Sequence, residues 1–273
     1  MTNVEIFAIG NELLIGDVLD TNTHWLCRQC TELGGFVQRA VLLRDDIPVI
    51  VRELQAAIAR APRLILTTGG LGPTDDDMTL AAVAQALHRP LERHADALAM
   101  VTATFVELAH KGYVDDATMT PARAKMGMLP QGATPLHNSV GAAPGVWLQA
   151  DNTTIVSLPG VPDELQAIFT ESLQPLLGSI FGARVFQSRL MIVTCKDESV
   201  LAPLLTNVVS KHPLVYIKSR ARRYGADITF RITLSTTGDS KETVAQHLDV
   251  AIADLRETLA QAQIAVETIT GDE

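Results

Sequence analysis

The chain has 273 residues, 47% of them hydrophobic, enough for one large or two modest domains with full cores. Lys and Arg total 22 against 31 Asp and Glu, and the net charge of −9 argues against broad binding to nucleic acid or to an anionic membrane. No apolar run is long enough to span a bilayer, the first strand begins almost at once without a basic leader, and Cys27, Cys30 and Cys195 make no disulfide framework, so a cytoplasmic protein is expected.

Val4 to Gly10 reads as a strand, and Thr21 or Asn22 caps an amphipathic helix carrying Trp25, Leu26, Cys30 and Leu33. His24, Cys27 and Cys30 share one face of that helix, but a structural zinc site needs four ligands, so ordinary helix thiols are expected. Gly34-Gly35 ends the helix. Phe36 to Leu43 is a second strand, Val49 to Ala61 a second helix and Leu64 to Thr68 a third strand. This alternation predicts an α/β domain with a mostly parallel sheet and right-handed crossovers, with a ligand site at the carboxyl ends of the strands.

The third strand runs into Thr67-Thr68-Gly69-Gly70-Leu71-Gly72-Pro73-Thr74-Asp75-Asp76-Asp77, and a helix is predicted from Met78 to Leu87. Gly69, Gly70 and Gly72 permit positive φ and let backbone N–H groups approach an anion, while the helix start adds its own free N–H groups. One acid suffices to cap a helix, so three exceed that need. Carboxylates beside a phosphate repel it unless a cation lies between them, so a divalent metal is implied. The glycine spacing matches neither the dinucleotide fingerprint nor the P-loop.

Helical patterns follow from Glu92 to Lys111 and from Pro121 to Met126. Val146 to Gln149 and Thr154 to Leu158 form a hairpin around Ala150-Asp151-Asn152-Thr153, and Pro162 to Leu177 is a helix opened by Asp163-Glu164. Gly178 to Gly182 reads as a linker. Beyond it come a strand at Arg184 to Thr194, a helix at Glu198 to Ser210, strands at Leu214 to Lys218 and Ala226 to Thr236, and a helix at Lys241 to Ala262, a small α+β domain. Domains are expected at 1–178 and 183–273.

Four motifs taken together carry a family resemblance: Gly10-Asn11-Glu12-Leu13-Leu14-Ile15-Gly16 with Thr21-Asn22, the Thr68 to Asp77 turn, Asn138-Ser139-Val140-Gly141-Ala142-Ala143-Pro144-Gly145, and Leu158-Pro159-Gly160-Val161-Pro162. The chain resembles the CinA family (competence/damage-inducible protein A) along its length. The resemblance implies a three-layer molybdopterin-binding-like domain, shared with molybdenum-cofactor biosynthesis proteins, followed by a KH-like α+β domain. It implies metal-dependent hydrolysis of a nucleotide diphosphate, ADP-ribose to AMP and ribose 5-phosphate, by a homodimer. The metal would be Mg or a transition metal such as Co, with K+ as a companion ion. The family's deamidase domain would follow Glu273, so deamidation of nicotinamide mononucleotide is not expected. Gly127, where the family more often has Ala, and Asp20, often Asn, depart from the pattern.

Carried residue by residue, the resemblance makes Asp76 and Asp77 metal ligands and, with Glu12 as general base or water-mediated ligand, the catalytic set. Asp75 is left as the helix cap. Gly69, Gly70 and Gly72 would face the diphosphate, Asn22 would orient substrate and Lys125 is the nearest motif-borne cation. Gly10, Thr68, Thr74, Asn138, Gly141, Pro159 and Gly160 complete the substrate-binding set. An alternative is a molybdopterin-binding or adenylyl-transfer protein of molybdenum-cofactor biosynthesis. Asp77 fits both readings, whereas Asp76 favours the hydrolase because the molybdenum-cofactor relatives tend to carry Arg there. RNA binding by the second domain is disfavoured: no Gly-x-x-Gly follows residue 182, and the basic run Lys218 to Arg223 reads as a solvated loop.

Overall fold

The computed structural model describes residues 2–195, 197–221 and 229–271. They form two compact units, Met1–Thr31 with Gly35–Gly182, and Glu32–Gly34 with Ala183–Glu273.

The first unit begins with β1 (Thr2–Ile9), α1 (Asn11–Leu14), α2 (Thr21–Glu32), β2 (Gly35–Leu43), α3 (Ile47–Ala59) and β3 (Leu64–Thr68). It continues with α4 (Thr79–Ala86), β4 (Leu91–Arg93), α5 (Ala95–His110), α6 (Pro121–Lys125), β5 (Met128–Pro130), β6 (Thr134–Leu136), β7 (Gly145–Ala150) and β8 (Thr153–Leu158). A helix then runs through α7 (Pro162–Ala167), a π-helical stretch (Ile168–Leu173) and α8 (Gln174–Phe181). The main sheet has the order β2-β1-β3-β8-β7-β6. Its first four strands are parallel, and β7 and β6 are antiparallel additions.

Burial explains the apolar runs. Every residue of β3 is buried, and Val4 to Ile9 of β1 are buried, as expected of central strands with both faces covered. The one charged residue buried in these two strands is Glu5, on β1, whose carboxylate accepts from Arg60 Nε at 2.7 Å and Nη2 at 2.6 Å. Register then places the site. Ile9 pairs with Leu43, Ala8 with Thr68, and Thr68 with Leu158, so four parallel strands end at one level and present four loops on one edge.

Several boundaries differ from the expectation. The helix after the glycine turn starts at Thr79, not at the acids, because Asp77 folds back to close its own turn on Thr74 while the Thr79 hydroxyl and N–H bond to Gly69 O and Gly70 O. Asp75 is therefore not the helix cap; the cap position is Met78, which makes no side-chain cap bond. The 178–182 linker is largely helix, ending only where Gly182 takes a φ of 71°. The short elements α1, β4, β5 and β6 have too little periodicity to be read from sequence.

The second unit comprises β9 (Val185–Thr194), α9 (Glu198–Lys211), β10 (Tyr216–Ala221), β11 (Thr229–Gly238), α10 (Lys241–Gln261) and β12 (Ala265–Gly271), with an antiparallel sheet in the order β10-β11-β9-β12. Its core joins Met191, Val193, Phe230, Ile232 and Leu234 of the sheet to Leu201, Leu205, Leu248 and Leu255 of the helices. β12 was not foreseen. Lys218 and Arg220 lie on β10 rather than in a loop, Arg222 and Arg223 fall outside the described residues, and so do 226–228 of the predicted strand.

Candidate functional site

The four strand ends surround a cavity of about 590 Å³ lined by Gly69, Gly70 and Gly72, by the carboxylates of Glu12, Asp45, Asp76, Asp77 and Glu164, and by an apolar wall that includes Leu71, Phe105, Met126, Ala142 and Ala143. Two glycines are dictated by backbone shape. Gly69 has φ 95° and Gly70 φ 68°, and a Cβ at Gly69 would run into the Ile9 carbonyl oxygen. The glycine turn can thus lie directly against the end of β1.

Other glycines seat carboxylates. A Cβ on Gly10 would strike the Glu12 carboxylate, one on Gly72 would come within 2.6 Å of Asp77 Oδ2, and one on Gly141 would strike the Glu164 carboxylate. In each pair the acid lies over a bare Cα, and any side chain would displace it.

The acidic turn is organised by Thr74. Its N–H donates to Asp77 Oδ2 at 2.9 Å, and its hydroxyl faces both Asp77 Oδ2, at 2.6 Å, and Asp76 Oδ1. A hydroxyl has one proton, so it satisfies one of these oxygens at a time. Lys125 reaches in from α6 to donate to the Thr74 carbonyl, so the predicted phosphate-binding lysine braces the acidic turn and is not among the residues lining the cavity. The Thr74 hydroxyl, then Asp76's own N–H and the nearby Lys125 charge, hold the Asp76 carboxyl below the usual carboxylate range. Asp45, after β2, behaves oppositely: burial pushes its carboxyl up, the Asn11 N–H at 2.8 Å opposes this, and the charges of Glu12, Asp76 and Asp77 push it further up. Glu12, Asp45, Asp76 and Asp77 are therefore one electrostatic group.

Asn22 and Thr68 form a brace. Asn22 Nδ2 donates to Thr68 Oγ1 at 3.2 Å and to Gly160 O at 2.7 Å, and Thr68 Oγ1 donates to Pro159 O at 3.1 Å. This ties the start of α2 to the ends of β3 and β8. Asn22 and Thr68 line a smaller adjoining cavity, while Pro159 and Gly160 reach the main one. Asn138 is likewise internally occupied: it donates to Ala143 O at 2.8 Å and Glu164 Oε2 at 2.7 Å and accepts from Val140 N and Gly141 N. It shapes the 138–143 turn and holds Glu164.

Asp45 and Glu164 are the functional candidates that the sequence reading missed. Asp45 follows a predicted parallel strand, and Glu164 stands two residues beyond the Pro159 to Pro162 motif; those were the available signals. As to a metal, no group of three or more His, Cys, Asp or Glu among the described residues is arranged to hold one. Asp76 and Asp77 still offer Oδ2 and Oδ1, respectively, outside the Thr74 contacts, and a Mg ion typically uses one or two carboxylates, completing its shell with water and substrate phosphate. Cys30, by contrast, is a buried helix thiol pushed up to about 12 by burial first and by Cys27 second. No helix among the described residues is long and apolar enough to cross a membrane.

Residues 5–179 match the family model described as probable molybdopterin binding domain. The chain is 37% identical over 267 residues to a protein of Pyrobaculum arsenaticum, covering 97% of each, and 37% identical over 221 residues to a protein of Pyrococcus horikoshii, covering 81% of this chain and 85% of the other. The crystal structure of the protein CinA, of unknown function, from Thermoplasma acidophilum matches with a TM-score of 0.56 at 31% identity, over 66% of this chain and 98% of that one.

Proposed function

This chain belongs to the molybdopterin-binding-domain family, and from that premise we propose that the cavity binds a molybdopterin-type ligand by its phosphate and supports adenylyl transfer to it. The observation that carries this reading is the glycine turn at the level where four parallel strands end, opposite a group of carboxylates. Gly69, Gly70 and Gly72 line the cavity, where a glycine-rich turn would present backbone N–H groups to phosphate oxygens. A divalent cation on Asp76 and Asp77 would neutralise phosphate charge and polarise the phosphorus under attack. Thr74 and Lys125 hold the two carboxylates ready on that side of the pocket. In the transfer, a ligand phosphate oxygen attacks the α-phosphorus of a nucleoside triphosphate; that P–O bond forms as the bond to pyrophosphate breaks.

A second reading is hydrolysis of ADP-ribose, in which water attacks the diphosphate and two monophosphates leave. The grouping of Glu12 and Asp45 with Asp76 and Asp77 favours it, since Glu12 can take a proton from an attacking water. One experiment tests both: the protein with Mg, Mn or Co is given molybdopterin plus ATP, or ADP-ribose, and products are identified by mass. Adenylylated molybdopterin with pyrophosphate supports the first reading. AMP with ribose 5-phosphate supports the second, and turnover of neither refutes both. Activity on either substrate should fall about 100-fold or more in Asp76→Asn and Asp77→Asn, the loss typical of one charge-stabilising contact at a transferring phosphoryl group.

A further inference from the structure

The carboxylates of the cavity divide into two poles. The charges of Glu12, Asp76 and Asp77 push the Asp45 carboxyl up, whereas the Glu164 carboxyl is moved by burial and, in the opposite sense, by its Asn138 hydrogen bond. Glu164 stands apart, partly buried beside Ala142, Ala143 and Val161, with no cation partner among the described residues.

Its carboxylate is aimed as well as placed. Asn138 accepts from two backbone N–H groups through Oδ1, so its amide orientation is settled and Nδ2 must point at Ala143 O and Glu164 Oε2. From below, the carboxylate rests on the bare Cα of Gly141. That single Asn138 bond occupies one of roughly four acceptor positions of a carboxylate that lines the cavity, and Oε1 takes no hydrogen bond from the described residues. Just beyond Glu164 the helix passes into its π-helical stretch, a feature that recurs at functional sites. A held, half-desolvated acceptor with no positive neighbour is complementary to hydrogen-bond donors, not to phosphate.

We propose that Glu164 is a specificity-determining group that reads the non-phosphate end of the ligand, accepting hydrogen bonds from two adjacent donors. The inference rests on the phosphate-binding reading of the glycine turn, which fixes the ligand's other end. Paired donors come from two sources: the ring N–H and exocyclic amine of a 2-amino-4-oxopyrimidine, as in pterins and guanine, or the vicinal hydroxyls of a sugar. Adenine does not present such a pair, since its amine lies beside a ring acceptor.

The test measures affinities of four probes with Mg for the full chain and for Glu164→Gln. 2′,3′-Dideoxy-GDP offers the ring donors alone, ADP the sugar hydroxyls alone, 2′,3′-dideoxy-ADP neither, and inorganic pyrophosphate only the phosphate end. Glu164→Gln should weaken 2′,3′-dideoxy-GDP or ADP about 10–100-fold, the range for a hydrogen bond to a charged group, with pyrophosphate and 2′,3′-dideoxy-ADP held within about twofold. Whichever probe responds identifies the donor source. Gly141→Ala, which pushes the same carboxylate off its seat, should give the same selective loss. Uniform weakening of all four probes, or no change in any, overturns the proposal while leaving the phosphate site standing. Failure of the unaltered protein to bind pyrophosphate or any nucleotide overturns the phosphate-site reading and this inference together.

Discussion

Gly69→Ala separates the cost of backbone conformation from the cost of contact, because the first unit contains a matched control. Gly69 and Gly112 both have positive φ, 95° and 73°, but nothing lies within 4 Å of a Cβ built on Gly112. Gly112→Ala should therefore express left-handed strain alone, about 1–2 kcal/mol. The Cβ of Gly69→Ala meets the Ile9 carbonyl well inside 3.0 Å, and that carbonyl belongs to the backbone at the buried end of β1. Forced displacement of packed structure adds about 1–3 kcal/mol, for a total of about 2–5 kcal/mol. At about 2–4 °C per kcal/mol for a unit of this size, the melting temperature should drop by about 2–8 °C for Gly112→Ala and about 4–20 °C for Gly69→Ala. Gly72→Ala completes the series: its φ is not positive, and its Cβ meets the movable end of Asp77 at 2.6 Å, so metal and phosphate binding should weaken with little loss of stability. Thermal melts and urea titrations of the three variants measure these differences. If Gly69→Ala is no more destabilised than Gly112→Ala, the Ile9 carbonyl is not a rigid wall and the close packing of turn on strand is not what demands glycine.

Divalent cation should stabilise the first unit, since the Glu12, Asp45, Asp76 and Asp77 group carries mutual repulsion: at about 100-fold above Kd the gain is about 2.7 kcal/mol, and an unchanged melting temperature with Mg, Mn and Co would exclude the site. The gain should vanish in Asp76→Asn/Asp77→Asn. Arg60→Ala should destabilise by about 2–3 kcal/mol, below the ~3–5 kcal/mol for stranding a fully enclosed charge because Arg60 itself is 35% exposed; a chemical-denaturation loss under about 0.5 kcal/mol would refute the reasoning that this ion pair is what makes the buried Glu5 tolerable. Burial raises the Glu164 carboxyl above its ordinary 4.5, so the folded state holds that proton more tightly than the unfolded state. Its contribution favours folding below pH 4.5 and is lost as pH rises through the raised folded value. Glu164→Gln removes that loss, so its melting temperature relative to the unaltered protein should improve between pH 4 and pH 7; a flat difference across that window would contradict the shift.

The amino-acid sequence by itself determined whatever depends on a short window. Val4 to Ile9 and Leu64 to Thr68 are recognisable as central strands because a strand covered on both faces must be apolar throughout, and the β7 to β8 hairpin because Asp151-Asn152 interrupts two apolar runs at turn distance. The glycine turn was legible as a strand-to-helix turn for the same local reason. The tertiary structure alone decided which side chains serve the cavity and which serve the frame. Asn22, Thr68 and Asn138 read as ligand contacts, and the structure adds a framing part for each, in hydrogen bonds to backbone carbonyls and to a side chain far away in sequence. Asp45 carried no reading and Glu164 read as a helix-start acid, yet parallel register sets the ends of β2 and β8 at the level of the glycine turn, and both acids line the cavity there. Local pattern reports the conformation of a segment, because that depends on its own side chains. The convergence of separate loops depends on strand order and register, which arise from burying all the segments at once and leave no mark at any single position.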